Sequence, residues 1–169
     1  GWGTGFLALS ERALDHLTPV WSGFTGTDDD GMPLDEVPDP SRGASAYSIS
    51  NGDPIAMGRL AAALEEIAEV GVAPIQQRIA ERVGEIIDLV DEFGIPVISP
   101  RAESERAGIV VLEPENDQLT VLLTALHNHG ISATSRLGTV RLAPHASTGP
   151  DTVALLRSAL IEYQGAAAR

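Results

Sequence analysis

The sequence predicts an α/β fold of the α+β kind, with helices covering one face of a small antiparallel or mixed sheet. Two long stretches of helical periodicity come before segments in the order strand, strand, helix, strand, strand, helix, which is typical of such a two-layer arrangement. The chain has 169 residues, 43% of them hydrophobic, which is enough for a core. This length fits one domain or slightly more, since globular domains contain roughly 100 to 200 residues.

The first predicted elements are short. The apolar run Gly5–Leu9 predicts a buried strand entered through a glycine turn, and Ser10 is expected to cap a helix from Glu11 to about Leu17. A buried strand needs neighbours on both sides, so we expect the sequence to begin part-way through a larger protein. The alternative is a natural start near Gly1. From Thr18 to Ser45, prolines and acidic residues predict a long irregular stretch, either a functional or interface loop or a disordered one.

Two long amphipathic helices are expected next. The first begins at Pro54 and ends before Gly71, and the second has Pro74 in its first turn and ends at Gly94. Two further helices are predicted at about 117–128 and 150–163, and the tail 166–168 is expected to fray. Short apolar segments predict strands at 95–98, 109–112, 131–134 and 140–143.

Charge and residue usage exclude several classes of function. The 24 acidic and 11 basic side chains give a net charge of -13, which argues against nucleic-acid and anionic membrane partners. The chain has no cysteine, so it forms no disulfide or thiolate metal site. All 11 basic residues are arginines, and without a lysine the chain cannot form a Schiff base with an aldehyde cofactor. Without a signal peptide or a membrane-length apolar run, we expect a cytoplasmic location.

Metal and dinucleotide motifs are weak. The Gly1-x-Gly3-x-Gly5 pattern precedes a predicted strand, whereas a dinucleotide fingerprint follows one. His127 and His129 point about 200° apart on a helix and cannot share a metal. The acidic cluster lacks the spacing of a calcium loop, so a solvated loop is favoured. That cluster comprises Asp28, Asp29, Asp30, Asp35, Glu36 and Asp39. No metal site is predicted.

Arg136 and Arg141 are the candidate ligand-binding residues. They flank the glycine turn at Gly138 between two predicted strands, so both side chains can project toward a common point. Arginine presents a planar fork of donors that holds a carboxylate through two parallel hydrogen bonds. The alternative is a pair of surface salt bridges, which the excess of acidic residues makes easy to form. Composition leaves both interpretations open.

Residues 3–7, 48–55 and 136–145 contain three motifs in this order along the chain. Together they resemble the C-terminal part of class V aminotransferases, the pyridoxal-phosphate enzymes that include cysteine desulfurases, kynureninases and isopenicillin N epimerase-like proteins. Gly3-Thr4-Gly5-Phe6-Leu7 resembles the strand that follows the cofactor lysine. Ser48-Ile49-Ser50-Asn51-Gly52-Asp53-Pro54-Ile55 resembles the segment that reaches the cofactor phosphate or substrate of the partner subunit. Arg136-x-Gly138-x-x-Arg141-Leu142-Ala143-Pro144-His145, followed by Asp151, resembles the C-terminal arginine motif.

The resemblance assigns roles to individual residues. Arg141 matches the arginine that binds the substrate α-carboxylate, and Arg136 matches a second, more variable arginine. Ser50 and Asn51 match cofactor-binding positions in the form that kynureninases have. Asp53 stands where many members have threonine, and a carboxylate close to a phosphate is unfavourable unless it points away.

The same resemblance implies an enzyme that this chain does not complete. Residues 1–53 would end a large cofactor domain, 54–93 would form connecting helices, and 94–169 would form a small C-terminal domain. The Schiff-base lysine would lie just upstream of Gly1, pyridoxal 5'-phosphate would act as an electron sink, and the active site would form in a homodimer with an amino-acid substrate. The desulfurase branch is disfavoured because the chain has no cysteine to accept sulfur. The alternatives are a catalytically inactive interaction domain and a regulatory domain that binds small ligands.

Overall fold

A computed structural model describes residues 4–19, 26–27, 35, 38–48 and 52–167 of the chain. The chain divides into two compact units, residues 1–69 and 70–169. Among the described residues no helix has the length and apolar character needed to span a membrane. The three-part division made from the sequence stays a prediction.

The first unit begins with an exposed extended segment. Residues 4–10 form no strand, and Phe6 is 72% exposed, so the buried strand predicted over Gly5–Leu9 is wrong. An apolar run becomes a strand only where neighbouring strands pair with its backbone, and the described part of the chain supplies no such neighbour. Helix α1 follows at Glu11–His16, and the backbone N–H of Ala13 donates to Ser10 Oγ at 3.2 Å. The predicted cap at Ser10 is therefore confirmed.

The described parts of the long irregular stretch contain local structure. Thr27 and Pro40 form an isolated antiparallel bridge, and Gly43–Tyr47 form a short 3₁₀ helix with Ala46 buried. The Tyr47 hydroxyl donates to the carbonyl of Leu17 at 3.0 Å. Of the acidic cluster, only Asp35 and Asp39 lie among the described residues.

Helix α2, Pro54–Val70, and helix α3, Val72–Glu92, form where helical periodicity predicts them. The connection between them is Gly71 alone, whose φ of +89° is a conformation that glycine adopts readily. No residue of α2 is buried, whereas the apolar stripe of α3 supplies five buried side chains.

The second unit contains a three-stranded antiparallel sheet in addition to its helices. Its strands β1 (Val110–Leu112), β2 (Thr134–Arg136) and β3 (Thr139–Leu142) lie in the order β1-β3-β2. The prediction of a small sheet with helices is confirmed.

The predicted strand 95–98 is wrong as a regular strand, since only Val97 bridges to β1. Pro96 has no N–H to extend a ladder. Beyond that bridge the Ser99 hydroxyl replaces a backbone partner, accepting from the Val111 N–H at 2.8 Å and donating to the Ile109 carbonyl at 3.3 Å. A side chain therefore continues the pairing where a backbone ladder does not.

The predicted strand 131–134 is wrong except for Thr134, which is the first residue of β2. Ile131 instead follows helix α4, Leu119–Asn128, and forms part of its C-terminal cap. Gly130, with φ +73°, donates to the carbonyl of His127 at 3.0 Å, and Ile131 donates to that of Leu126 at 2.9 Å. These two bonds form a Schellman motif, in which an apolar residue after the glycine packs back on the helix.

The last helix, α5 (Pro150–Ala167), packs on α4 and α3. It continues through Ala166 and Ala167, so the frayed tail predicted there is wrong for these two residues. One hydrophobic core joins the sheet to the three helices of this unit. Its most deeply buried side chains are Val83, Val90, Val110, Leu112, Leu122, Leu126, Val140 and Leu160.

Candidate functional site

The β2–β3 hairpin carries both candidate arginines. Its two-residue turn consists of Leu137, with φ +50°, and Gly138, with φ +81°. Positive φ at both positions is the pattern of a type I′ turn, whose twist matches that of paired strands. The Thr139 hydroxyl closes the turn by donating to the Arg136 carbonyl at 2.7 Å.

Strand register places Arg136 and Arg141 on the same face of the sheet. Thr134 is opposite Arg141, and Thr139 is opposite Arg136. Side chains alternate along a strand, so Thr134 and Arg136 share a face, and Arg141 faces the same way as its partner Thr134. The intervening Val140 is fully buried in the core, so the arginine face is the open one.

The two arginines are diagonal neighbours across β2 and β3. In this register, diagonal positions of antiparallel strands lie roughly 7–8 Å apart, which long side chains span. Both arginines are exposed, and neither forms an ion pair with any residue in the described ranges. The salt-bridge alternative drawn from composition therefore finds no partner there. Thr134, directly opposite Arg141, is a further polar neighbour that sequence reasoning missed, because register sets the pairing.

Two other arginines of this unit form bidentate ion pairs with carboxylates. Arg101 binds both oxygens of Asp91 at 2.7 and 2.8 Å, and Arg157 binds both oxygens of Glu92 at 2.5 and 2.8 Å. The hydrogen bonds from Arg101 lower the pKa of Asp91, and those from Arg157 lower the pKa of Glu92. The same bonds raise the pKa of each arginine. These two ion pairs link the end of α3 to the following loop and to α5.

The positions matched to cofactor binding, Ser50 and Asn51, lie outside the described residues, as do Gly1 and Gly3. Asp53 Oδ1 accepts a hydrogen bond from the backbone N–H of Ile55 at 2.9 Å. Its carboxylate thus caps the first turn of α2, where a negative charge also favours the helix dipole. An Asp-Pro pair before a helix is the sequence signal for this role.

Two of the histidines in the second unit, His129 and His145, have hydrogen-bond partners. His129 Nε2 lies 2.9 Å from Glu162 Oε2, and the Asn128 amide donates to the other oxygen of Glu162 at 2.7 Å, so α4 is linked to α5. His145, after β3, contacts the Ser147 hydroxyl through Nδ1 at 2.9 Å. Within the described ranges no three histidine or acidic side chains come together as a metal site.

A groove and a smaller pocket in the second unit are lined by described residues, and neither includes the arginine pair. An open groove of about 1070 Å³ runs along the first half of α3 and the loop before β1. A smaller pocket of about 230 Å³ is lined by the end of β3 and the start of α5. Arg106 borders the groove, and its Nε is buried without a hydrogen-bond partner among the described residues.

Comparison with known proteins shows a likeness of fold. No family model matches the sequence, and no curated protein matches it. The structure is similar to the apo structure of a cysteine desulfurase from Thermococcus onnurineus NA1, with a TM-score of 0.78 and 20% sequence identity. The match covers 92% of this chain and 42% of that one, so the chain spans less than half the length of that protein.

Proposed function

We propose that this chain is the C-terminal part of a pyridoxal-phosphate enzyme of the class V aminotransferase type, acting on an amino acid as an aminotransferase or lyase. The observation that carries the proposal is the exposed arginine pair, placed on one sheet face by the motif that resembles the family's C-terminal arginine motif. The fold likeness to a cysteine desulfurase supports it, because cysteine desulfurases belong to the family that the sequence motifs resemble.

Arg141 is the residue proposed to bind the substrate α-carboxylate. It lies on β3, the central strand, which pairs with β1 on one side and β2 on the other. Its strand neighbours Val140 and Leu142 are both buried, so the backbone that carries the guanidinium is fixed by the core. A guanidinium on a fixed backbone orients a bound carboxylate as well as attracting it.

The described residues do not complete a site for the cofactor. The chain has no lysine, and Ser50 and Asn51 lie outside the described ranges. The Schiff-base lysine would have to come from outside these 169 residues. We therefore limit the role of this chain to binding and orienting the amino acid, within a homodimer that would complete the active site.

The absence of cysteine restricts the reaction. Transfer of sulfur to an enzyme cysteine needs a thiol, so this chain cannot itself accept sulfur as a desulfurase would. The proposal accordingly covers transamination and lyase chemistry, with any sulfur-accepting residue lying elsewhere.

A catalytically inactive interaction domain is the second candidate. The observation that favours it is that residues 70–169 have a continuous hydrophobic core of their own. Such a domain would fold and bind a partner without a cofactor. It predicts no response of the hairpin to amino acids.

Titration of the chain with L-alanine, followed by amide NMR, tests the carboxylate site. We expect the amide signals of the β2–β3 hairpin to shift, and we expect Arg141→Gln to abolish the shift. Arg78→Gln removes the same charge from the exposed face of α3 and should leave the shift unchanged. Equal shifts in both variants, or no shift in the unmodified chain, would contradict the role of Arg141.

A further inference from the structure

We propose that Arg136 forms a second acid-binding subsite, so that the substrate class is amino acids with an acidic group in the side chain. This inference rests on the proposed function, because it takes Arg141 to bind the α-carboxylate. Arg136 would then select the substrate by its side chain.

The hairpin geometry supplies two separate guanidinium forks. Arg136 and Arg141 are diagonal neighbours on the open face, with backbones roughly 7–8 Å apart. Each guanidinium binds one carboxylate through parallel hydrogen bonds, and two forks at this separation match a molecule with an acid group at each end. L-Aspartate and L-glutamate have this arrangement, whereas a neutral amino acid leaves one fork unused.

The rigidity of the hairpin supports a subsite at this place. Arg136 is the last residue of β2 and immediately precedes the two-residue turn, and its carbonyl accepts the bond from the Thr139 hydroxyl. Its backbone position relative to Arg141 is therefore set by the turn and by the strand pairing. Residues on paired strands hold a fixed separation better than residues on a loop.

The charge environment is consistent with an anionic ligand at this pair. The chain has a net charge of -13, yet neither arginine pairs with a carboxylate within the described ranges. Arg101 and Arg157, in the same unit, are fully engaged by bidentate carboxylates. The hairpin thus offers two guanidinium groups that have no counter-charge among the described residues, next to Thr134 and Thr139.

A different use of the same pair is a clamp in which both arginines bind a single carboxylate. A clamp predicts no preference for a second acid group, because the ligand side chain would meet no arginine. Comparing each acidic amino acid with its amide separates these two arrangements, since aspartate and asparagine have nearly the same shape and differ by one charge.

Dissociation constants for L-aspartate and L-asparagine, measured by amide NMR titration of the 169-residue chain, test the inference. We expect aspartate to bind about fivefold more tightly, the effect of one exposed ion pair at the upper end of its usual range. Arg136→Gln should reduce the ratio to about one while asparagine binding persists. Arg141→Gln should weaken both ligands. Arg78→Gln, which changes the net charge equally, should preserve the ratio.

The outcomes distinguish failure of this inference from failure of the proposed function. If asparagine binds through Arg141 but aspartate binds no better, the second subsite is wrong and the proposed function stands. An aspartate preference that survives Arg136→Gln also overturns the subsite. If neither amino acid shifts the hairpin signals, both the carboxylate site and the subsite are wrong.

Discussion

The turn that positions the two arginines contains a strained residue, and replacing it should stabilise the hairpin. Leu137 has φ +50° and is 94% exposed. Its left-handed conformation is therefore unfavourable and is not offset by burial of the side chain. That cost is about 1–2 kcal/mol for a residue with a β-carbon. Asparagine tolerates this conformation and is preferred before glycine in type I′ turns. We expect Leu137→Asn to recover roughly half the cost, about 0.5–1 kcal/mol.

Hydrogen exchange of the β3 amides measures this gain directly, because exchange there requires the hairpin to open. A gain of about 0.5–1 kcal/mol corresponds to roughly two- to fivefold slower exchange. Leu137→Ala retains the β-carbon and should change little. Gly138→Ala introduces one at φ +81° and should speed exchange about fivefold or more. Unchanged or faster exchange in Leu137→Asn would refute the assignment of strain to this residue.

Three further predictions concern the rest of the fold. Leu160 is fully buried, so Leu160→Ala should lower the free energy of unfolding by about 2–5 kcal/mol in urea titrations, and a loss below about 1 kcal/mol would contradict its place in the core. Arg157 lowers the pKa of Glu92 in the folded state, so the stabilisation from this ion pair should be complete above the ordinary carboxyl pKa and be lost as pH falls through the lowered value. The difference in unfolding midpoint between the unmodified chain and Arg157→Gln should therefore disappear on acidification. A difference that stays constant with pH would contradict the pairing. Amides of α2, which has no buried residue, should exchange faster than those of the buried stretch of α3, and equal protection would argue against this difference.

The helices could be predicted from sequence because their signals are local. Apolar periodicity, Pro74 in the first turn and the stop at Gly94 define α3, and the Ser10 cap defines the start of α1. Each signal depends on residues within a turn or two, so no knowledge of the packing is needed.

The strands were predicted less well because pairing depends on distant residues. The apolar segment Gly5–Leu9 looks like a strand but has no pairing partner within the described residues, whereas polar Thr134–Arg136 pairs because β3 lies beside it. Ile131 is apolar because it completes the end of α4. Apolar character alone does not separate a strand from a helix end.

In the candidate site, too, the features set by neighbouring residues can be predicted from sequence, whereas those set by strand pairing cannot. The spacing of Arg136 and Arg141 around Gly138 indicates a hairpin, but only the register places the two on one face with Thr134 beside them. The role of Asp53 as a cap of α2 follows from a local Asp-Pro signal. Whether Ser50 and Asn51 contact a cofactor stays a prediction.

We propose that this chain is part of a pyridoxal-phosphate enzyme whose lysine lies outside these 169 residues. Borohydride reduction of the protein purified natively from cells that produce it, followed by intact and peptide mass spectrometry, tests this most directly, with the visible absorption recorded before reduction. We expect a coloured protein and a reduced pyridoxyl-lysine in a peptide that is either continuous with this sequence or co-purifies with it. A colourless protein with this chain alone and unmodified would contradict the proposed pyridoxal-phosphate enzyme and favour an inactive interaction domain.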